Sequence, residues 1–289
     1  MMQRIGRSVF LSVDANNNNK VIIKYEPPVA QNIVNKISRI IFGGSLPYKN
    51  EIYINDLLNN NKFQYFKYPK GFISKLGNSI QFEFISGDER RLNAHEKERG
   101  VNALIEFSSL AKQLQNQGIV LKLIENPLIK VIMSILRSNK GFKVKYKALI
   151  IVIFYLFRKT RTIPVLLHND LQCKNIISKN SHELFFIDFE DAVIEKKLVI
   201  LDVFNILFDR NRMKINKNLL NKFFKTFTKL SEAKQQNKAL KHQVRVCMIK
   251  MAFTPCSQER DQIKNKLEMD RIMQIIINNE NYTNWWQQQ

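Results

Sequence analysis

Cysteine is scarce in this chain. Cys173, Cys247 and Cys256 are the three in 289 residues, none forms a Cys-x-x-Cys pair, and they exclude a disulfide scaffold and suit a reducing compartment. The four histidines are far apart in sequence, so no zinc site is expected. Glycine and proline number nine and seven, which excludes collagen-like and low-complexity chains. Long apolar runs are also lacking. The longest, residues 148–157, has ten residues, half of the about 20 that a membrane span needs; it reads as a buried helix of a soluble protein. Residues 1–10 hold no apolar signal core, so the chain is expected to be cytoplasmic. Acidic residues are few, 25 against 46 Lys plus Arg, for a formal net charge of +21. Such a field attracts polyanions such as nucleic acid, anionic headgroups, phosphorylated glycans and nucleotides, without choosing among them.

What is present is a core. With 45% hydrophobic residues the chain can fill one large domain or two small lobes. Residues 8–14 and 20–25 are short β-prone runs separated by Ala15 and four asparagines, a hairpin pattern. Pro27 and Pro28 end it, a helical stretch follows over 29–41, and Gly43 and Gly44 break the chain. Ser45 can cap a second helix reaching Leu58, with Ile52, Leu57 and Leu58 for its inner face. Residues 72–74 and 79–85 look like two more strands around a Gly77-Asn78 turn. Apolar spacing of three and four predicts helices over 88–117 and 128–157. A compact β-rich insert spans Val165 to Ile187, and the pattern is helical again after Val199.

Chemistry concentrates in His168-Asn169-Asp170-Leu171-Gln172-Cys173-Lys174-Asn175 and, one hairpin later, Ile187-Asp188-Phe189-Glu190. Phosphoryl transfer needs a carboxylate to accept a proton from the attacking hydroxyl, a second to hold Mg²⁺ against nucleotide phosphates, and an amide oxygen to complete the metal shell. Asp170, Asp188 and Asn175 can fill those roles in that order. An ordinary reading has Asp170 capping a turn and Asn175 satisfying a loop backbone. His168 is expected to brace the loop rather than react, and Cys173 to be filler.

This pair of segments resembles the catalytic and metal-binding loops of the protein-kinase-like fold. It is most similar to the aminoglycoside phosphotransferase, choline/ethanolamine kinase and lipopolysaccharide core kinase group. The resemblance implies an α+β, two-lobed protein: an N-lobe (1–87) of antiparallel sheet plus helix, and a larger, mainly helical C-lobe (88–289). It also implies further residues, found in the implied order. Lys24 in Val21-Ile22-Ile23-Lys24 would hold the α- and β-phosphates of ATP, and Glu51 would orient it, with Glu26 and Asp56 as nearby alternatives. Glu83 and Ile85 in Phe82-Glu83-Phe84-Ile85-Ser86-Gly87 would offer backbone partners to adenine. Asp202 would open a C-lobe helix. ATP and Mg²⁺ are the implied co-substrate and cofactor.

The departures from that pattern are informative. Only residues 1–7 precede the hairpin, with Gly6 their sole glycine, so the first strand is expected to be missing or replaced and the phosphate-covering loop rudimentary. Glu190 stands where protein kinases have glycine. Thirteen residues separate Asp188 from Asp202, too few for a peptide-docking segment, which favours a small-molecule or glycan acceptor. A P-loop is excluded, because five residues lie between Gly71 and Gly77 and Asn78 stands where lysine is required.

Residues 210–250 carry twelve Lys or Arg and one acidic residue, Glu232. The ordinary reading is a helix with its apolar stripe on the core and lysines in water. The sharper one is a basic face on anionic membrane, which would place the protein peripherally at the inner membrane face. Trp285 and Trp286 would pack the tail down or touch lipid. The expected activity is transfer of the γ-phosphate of ATP to a hydroxyl, with a lipopolysaccharide core-type glycan favoured. Choline or ethanolamine is the next acceptor, and an aminoglycoside fits a basic C-lobe least. A non-catalytic nucleotide-binding module is the alternative of another class. Nucleic acid is not an expected partner, because no RNA-binding motif interleaves aromatic and basic residues.

Overall fold

The computed structural model describes residues 3–4, 9–13, 20–25, 47–73, 79–87, 92–116, 127–171, 175–179, 183–209, 212–253 and 262–289. The asparagine turn, the helix expected over 29–41, the Ser45 cap, the Gly77-Asn78 turn, Cys173 and Cys256 lie outside them. Two compact units are formed: Met1–Glu106, Gln113–Ile124 and His168–Val193 make one, and Phe107–Lys112, Glu125–Leu167 and Ile194–Gln289 the other.

In the first unit, β1 (Gln3–Arg4), β2 (Val9–Val13), β3 (Lys20–Tyr25), β4 (Gly71–Ile73) and β5 (Ser79–Glu83) form one sheet in the order β1-β2-β3-β5-β4. Every neighbouring pair is antiparallel. In β1, Gln3 faces Leu11 and Arg4 faces Phe10 of β2. Strand side chains alternate with period two, and residues directly opposite share a face. Ile22 faces Phe82 and Lys24 faces Ile80, so Lys24 stands on the apolar face where Ile80 and Phe82 are buried against Ile22 and Ile52. Ile52 belongs to α1 (Pro47–Asn59), which buries Glu51, Ile54, Asn55 and Leu58 at helical spacing and leaves Tyr53 and Asp56 exposed.

A single side chain fixes α1 to β4. Asn55 donates from Nδ2 to the Gly71 carbonyl (3.0 Å) and accepts from the Gly71 N–H (3.1 Å). A Cβ at Gly71 would lie 2.7 Å from the Phe82 ring, so only glycine allows this approach. The strands β7 (Ile176–Lys179) and β8 (Glu183–Phe186) form the expected hairpin, with Ile176 opposite Phe186. Lys67 flanks it: its N–H donates to the Leu184 carbonyl (2.7 Å), and the Phe186 N–H donates to its carbonyl (3.0 Å). The Phe66 ring stacks on Phe186 at 5.0 Å.

The helix expected over 88–117 is α2 (Ala94–Ser109) and then α3 (Ala111–Asn116). It starts late because Asn93 and Glu96 form a reciprocal cap, each side chain accepting the other's N–H at 3.0 and 2.8 Å. The stretch 128–157 is likewise two helices, α4 (Pro127–Arg137) and α5 (Phe142–Phe157). Between them the Ser138 N–H and hydroxyl both turn back to the Ile135 carbonyl.

The expectation of a buried helix at 148–157 is corrected. Ala148, Val152 and Tyr155 are buried, but Phe154 and Phe157 are 75% and 81% exposed. Uninterrupted hydropathy says nothing of direction, and only one stripe of α5 meets neighbours.

The second unit continues with β6 (Val165–Leu167), β9 (Val193–Glu195, which begins in the first unit), α6 (Leu201–Leu207), a small pair β10 (Phe208–Asp209) and β11 (Lys214–Ile215), α7 (Lys217–Phe227), α8 (Ala233–Phe253), α9 (Gln262–Ile277) and α10 (Asn279–Gln287). The pair β10–β11 interrupts what the sequence pattern reads as continuous helix. In α7, Leu220, Phe223, Phe224 and Phe227 are all buried. Trp285 and Trp286 are buried too, donating to the Met213 carbonyl and Asn237 Oδ1. The tail therefore packs down. No helix among the described residues is long and apolar enough to cross a membrane.

Two outcomes follow from this packing. Phe186→Ala removes a fully buried ring under the segment that carries Asp188, and should destabilise the protein by about 3–5 kcal/mol in urea unfolding. In α8, burial and the charges of Arg158, Arg245, Lys241 and Lys238 push the His242 imidazole from 6.5 down to about 4. The unfolded state then binds the extra proton first, so stability falls as pH drops from 6.5 towards 4. His242→Asn should flatten that part of a pH–stability profile.

Candidate active site

Five of the residues singled out in the sequence lie in the first unit, Lys24, Glu51 and Asp188 in one cluster and Asp170 and Asn175 in another. Lys24 Nζ donates to Glu51 Oε1 and Oε2 at 2.9 and 2.8 Å, and to Asp188 Oδ1 at 2.7 Å. The partners are 27 and 164 residues away in sequence. The Phe82 ring lies 5.7 Å from the same ammonium. Burial by itself would lower the Lys24 pKa; the Glu51 and Asp188 carboxylates more than offset this and hold it above its ordinary value. Burial pushes the Glu51 carboxyl up, while Lys24 pulls it down. A second donor, the Phe189 backbone N–H, also reaches Glu51. Asp56 does not take this position, being exposed on α1; Glu26 lies outside the described residues.

Asp188 follows β8 and adopts a left-handed backbone, φ 67°. That conformation costs a residue with a Cβ about 1–2 kcal/mol, least for Asp and Asn. It turns the carboxylate out of the strand direction and towards Lys24. After it, Phe189–Asp191 form one 3₁₀ turn packed on α1. His168 is fully buried. Its Nε2 lies 2.7 Å from the Ile187 carbonyl, which can only accept, so Nε2 carries the proton. The ring also sits against Phe189, 5.0 Å between centroids. His168 thus ties the segment before Asp170 to the segment before Asp188. Asn169, also left-handed at φ 66°, donates from Nδ2 to the Asp191 carbonyl at 3.2 Å.

Asn175 is buried and holds Asp170 directly. Its Nδ2 donates to the Asp170 carbonyl (2.8 Å) and to Asp170 Oδ2 (3.2 Å), while its own carbonyl accepts the Ile187 N–H (3.2 Å). With Nδ2 so engaged, the Asn175 side chain presents Oδ1 as its acceptor. Asp188 Oδ1 accepts from Lys24. An amide oxygen and a carboxylate oxygen are hard donors of the kind Mg²⁺ takes when phosphate and water oxygens fill its remaining positions. The residues fit that ion; among the described residues no cluster of three or more His, Cys, Asp or Glu could hold a metal alone.

Glu83 and Ile85 stand elsewhere on the sheet. Glu83 pairs with Val21, three residues along β5 from the Ile80 opposite Lys24, about 10 Å by strand rise. The Glu83 and Phe84 amides donate to the Lys70 and Lys20 carbonyls, and Ile85 follows directly beyond. Sequence reading missed Asn55, the Phe189 amide, and the buried Ser178 hydroxyl donating to Glu96 at 2.9 Å. None carries a spacing signal. Asn169 could have been suspected, since asparagine tolerates the left-handed region.

No family model and no curated protein matches this sequence. Solved structures do. An ethanolamine kinase from Plasmodium vivax aligns at 16% identity over 97% of this chain and 83% of that one, TM-score 0.59. The fold is protein-kinase-like. An AMP-bound spectinomycin phosphotransferase aligns at 13% identity over 97% and 93% of the two chains, TM-score 0.53. A choline kinase from Streptococcus pneumoniae aligns at 12% over 95% and 93%, TM-score 0.51. In this protein-kinase-like fold the sheet of the first unit carries Lys24, α1 carries Glu51, and the β7–β8 hairpin separates Asn175 from Asp188.

The ion pair makes a direct test. Lys24→Met leaves the Glu51 carboxylate buried without its partner and should cost about 3–5 kcal/mol in thermal or urea unfolding. Glu51→Gln added to that variant should recover part of the loss, because the uncompensated charge is then removed.

Proposed function

We propose that this protein is an ATP-dependent phosphotransferase that moves the γ-phosphate to an alcohol hydroxyl. The observation that supports it most is the Lys24 ammonium held between Glu51 and Asp188, with Asp170 fixed by Asn175 on the neighbouring loop. In this reading Lys24 holds the α- and β-phosphates and Glu51 keeps it in place. Asn175 and Asp188 hold Mg²⁺, which when bound neutralises charge on the β- and γ-phosphates. Asp170 orients the acceptor hydroxyl and takes its proton as the oxygen attacks the γ-phosphorus in line; ADP leaves. Glu83 and Ile85 supply backbone partners for adenine. The lobe division at Gly87, with nucleotide-binding residues in 1–87 and the catalytic and metal loops in 88–289, belongs to the same reading.

For the acceptor, the net charge of +21 favours an anionic one, a phosphorylated envelope glycan of the lipopolysaccharide core type. A choline or ethanolamine acceptor is the second reading, favoured by the wording of His168-Asn169-Asp170-Leu171 and Ile187-Asp188-Phe189-Glu190.

The experiment is transfer of γ-labelled phosphate from Mg·ATP to ethanolamine, choline, aminoglycosides and an envelope glycolipid extract. Asp170→Asn should lower transfer roughly a hundredfold or more while ATP binding is retained. Asp188→Ala should abolish metal-dependent binding. Full transfer by Asp170→Asn would overturn the assignment, and ATP binding without label in any acceptor would favour a nucleotide-binding module.

A further inference from the structure

Exposed apolar surface is not spread evenly over this protein. Of ten large hydrophobic side chains exposed among the described residues, eight lie on α4 and α5. On α5 they are Phe142, Tyr146, Ile153, Phe154 and Phe157, one helical stripe, with Phe142, Phe154 and Phe157 at 83%, 75% and 81% exposure. Ile129, Met133 and Leu136 continue the surface on α4. The two helices pack on one another and on α8, and Lys145 Nζ donates to the Leu136 carbonyl at their junction. Phe142 and Tyr146 are stacked at 6.2 Å, so part of the apolar face is already ordered.

The charge of the same segment is one-sided. Residues 127–161 carry nine Lys or Arg and no Asp or Glu. Lys143 and Lys147 flank the stripe, and Arg158, Lys159 and Arg161 follow its end, all exposed. A second copy of the chain is a poor occupant, because a two-fold interface would set this positive face against itself. Nucleic acid would leave the phenylalanines in water. An anionic lipid surface satisfies both features: aromatic and aliphatic side chains enter the headgroup–acyl boundary while lysines and arginines meet the anionic headgroups.

We propose that α4 and α5 form a membrane-docking face that lays the second unit on anionic bilayers. The sequence had drawn attention to residues 210–250 for this role. There the phenylalanines of α7 are committed to the core, and the apolar half of the requirement is met on α5 instead.

The test is flotation of the full-length protein with phosphatidylglycerol-containing vesicles and with pure phosphatidylcholine vesicles. The expected result is binding to the anionic vesicles, weakened by salt, and little binding to the neutral ones. The double variant F154S/F157S should lower the partition coefficient roughly tenfold or more, and K143E/K147E should remove the preference for anionic lipid. All four positions are exposed, so both variants should keep the parent melting temperature. Absence of vesicle binding at low salt would overturn the proposal. So would binding that both variants leave unchanged, or an apolar face shown to hold a dimer that F154S/F157S dissociates while vesicles are ignored.

Discussion

A buried ammonium needs opposite charge, and much of the first unit is organised by that need. Lys24 lies on the apolar face of the sheet, where its charge would be expelled without Glu51 from α1 and Asp188 from the loop after β8. Such a pair adds little net stability, since desolvation consumes most of the attraction. What it does is couple positions. α1 cannot slide along the sheet without uncovering Glu51, and the Asp188 loop cannot relax from its left-handed backbone without losing Lys24. Asn55 clasping Gly71 and the Phe189 amide on Glu51 hold the same three elements from other sides.

Around this pair the polar groups form a second, more local network. His168 bonds the Ile187 carbonyl, Asn175 bonds Asp170, and the Ile187 amide bonds Asn175. The His168–Ile187 and Ile187–Asn175 contacts join the segment before the β7–β8 hairpin to the segment after it. The hairpin therefore acts as a spacer: its antiparallel register returns Asp188 beside Asn175, and the stacked Phe66 and Phe186 rings keep it seated. Asp170 is held by the Asn175 side chain and Asp188 by the Lys24 ammonium, while backbone hydrogen bonds join the loops that carry them.

The second unit divides its apolar residues differently. α7, α8 and α10 turn theirs inward, and Trp285 and Trp286 close the tail through buried indole hydrogen bonds. α4 and α5 keep a broad apolar stripe outside, and the charged residues of their own segment are all basic. Apolar side chains thus serve a core in one helix and an outer surface in another.

Local patterning determined much of this protein. Alternation and turn residues located the Lys20–Tyr25 strand and its partner Val9–Val13, and helical spacing located most helices. The order Lys24, Glu51, Asp170, Asn175, Asp188 was legible because the roles implied by the family resemblance have a characteristic order and spacing along the chain. Breaks were harder to read. The Asn93–Glu96 cap and the Ser138 turn each depend on one side chain or amide reaching back a few residues, which a periodicity average hides. Only the tertiary structure decided which side of a continuous hydrophobic run faces protein, and it turned Phe154 and Phe157 of α5 outward. It also chose Glu51 as the partner of Lys24 over Asp56. Both choices rest on contacts between residues distant in sequence, and no local preference encodes them.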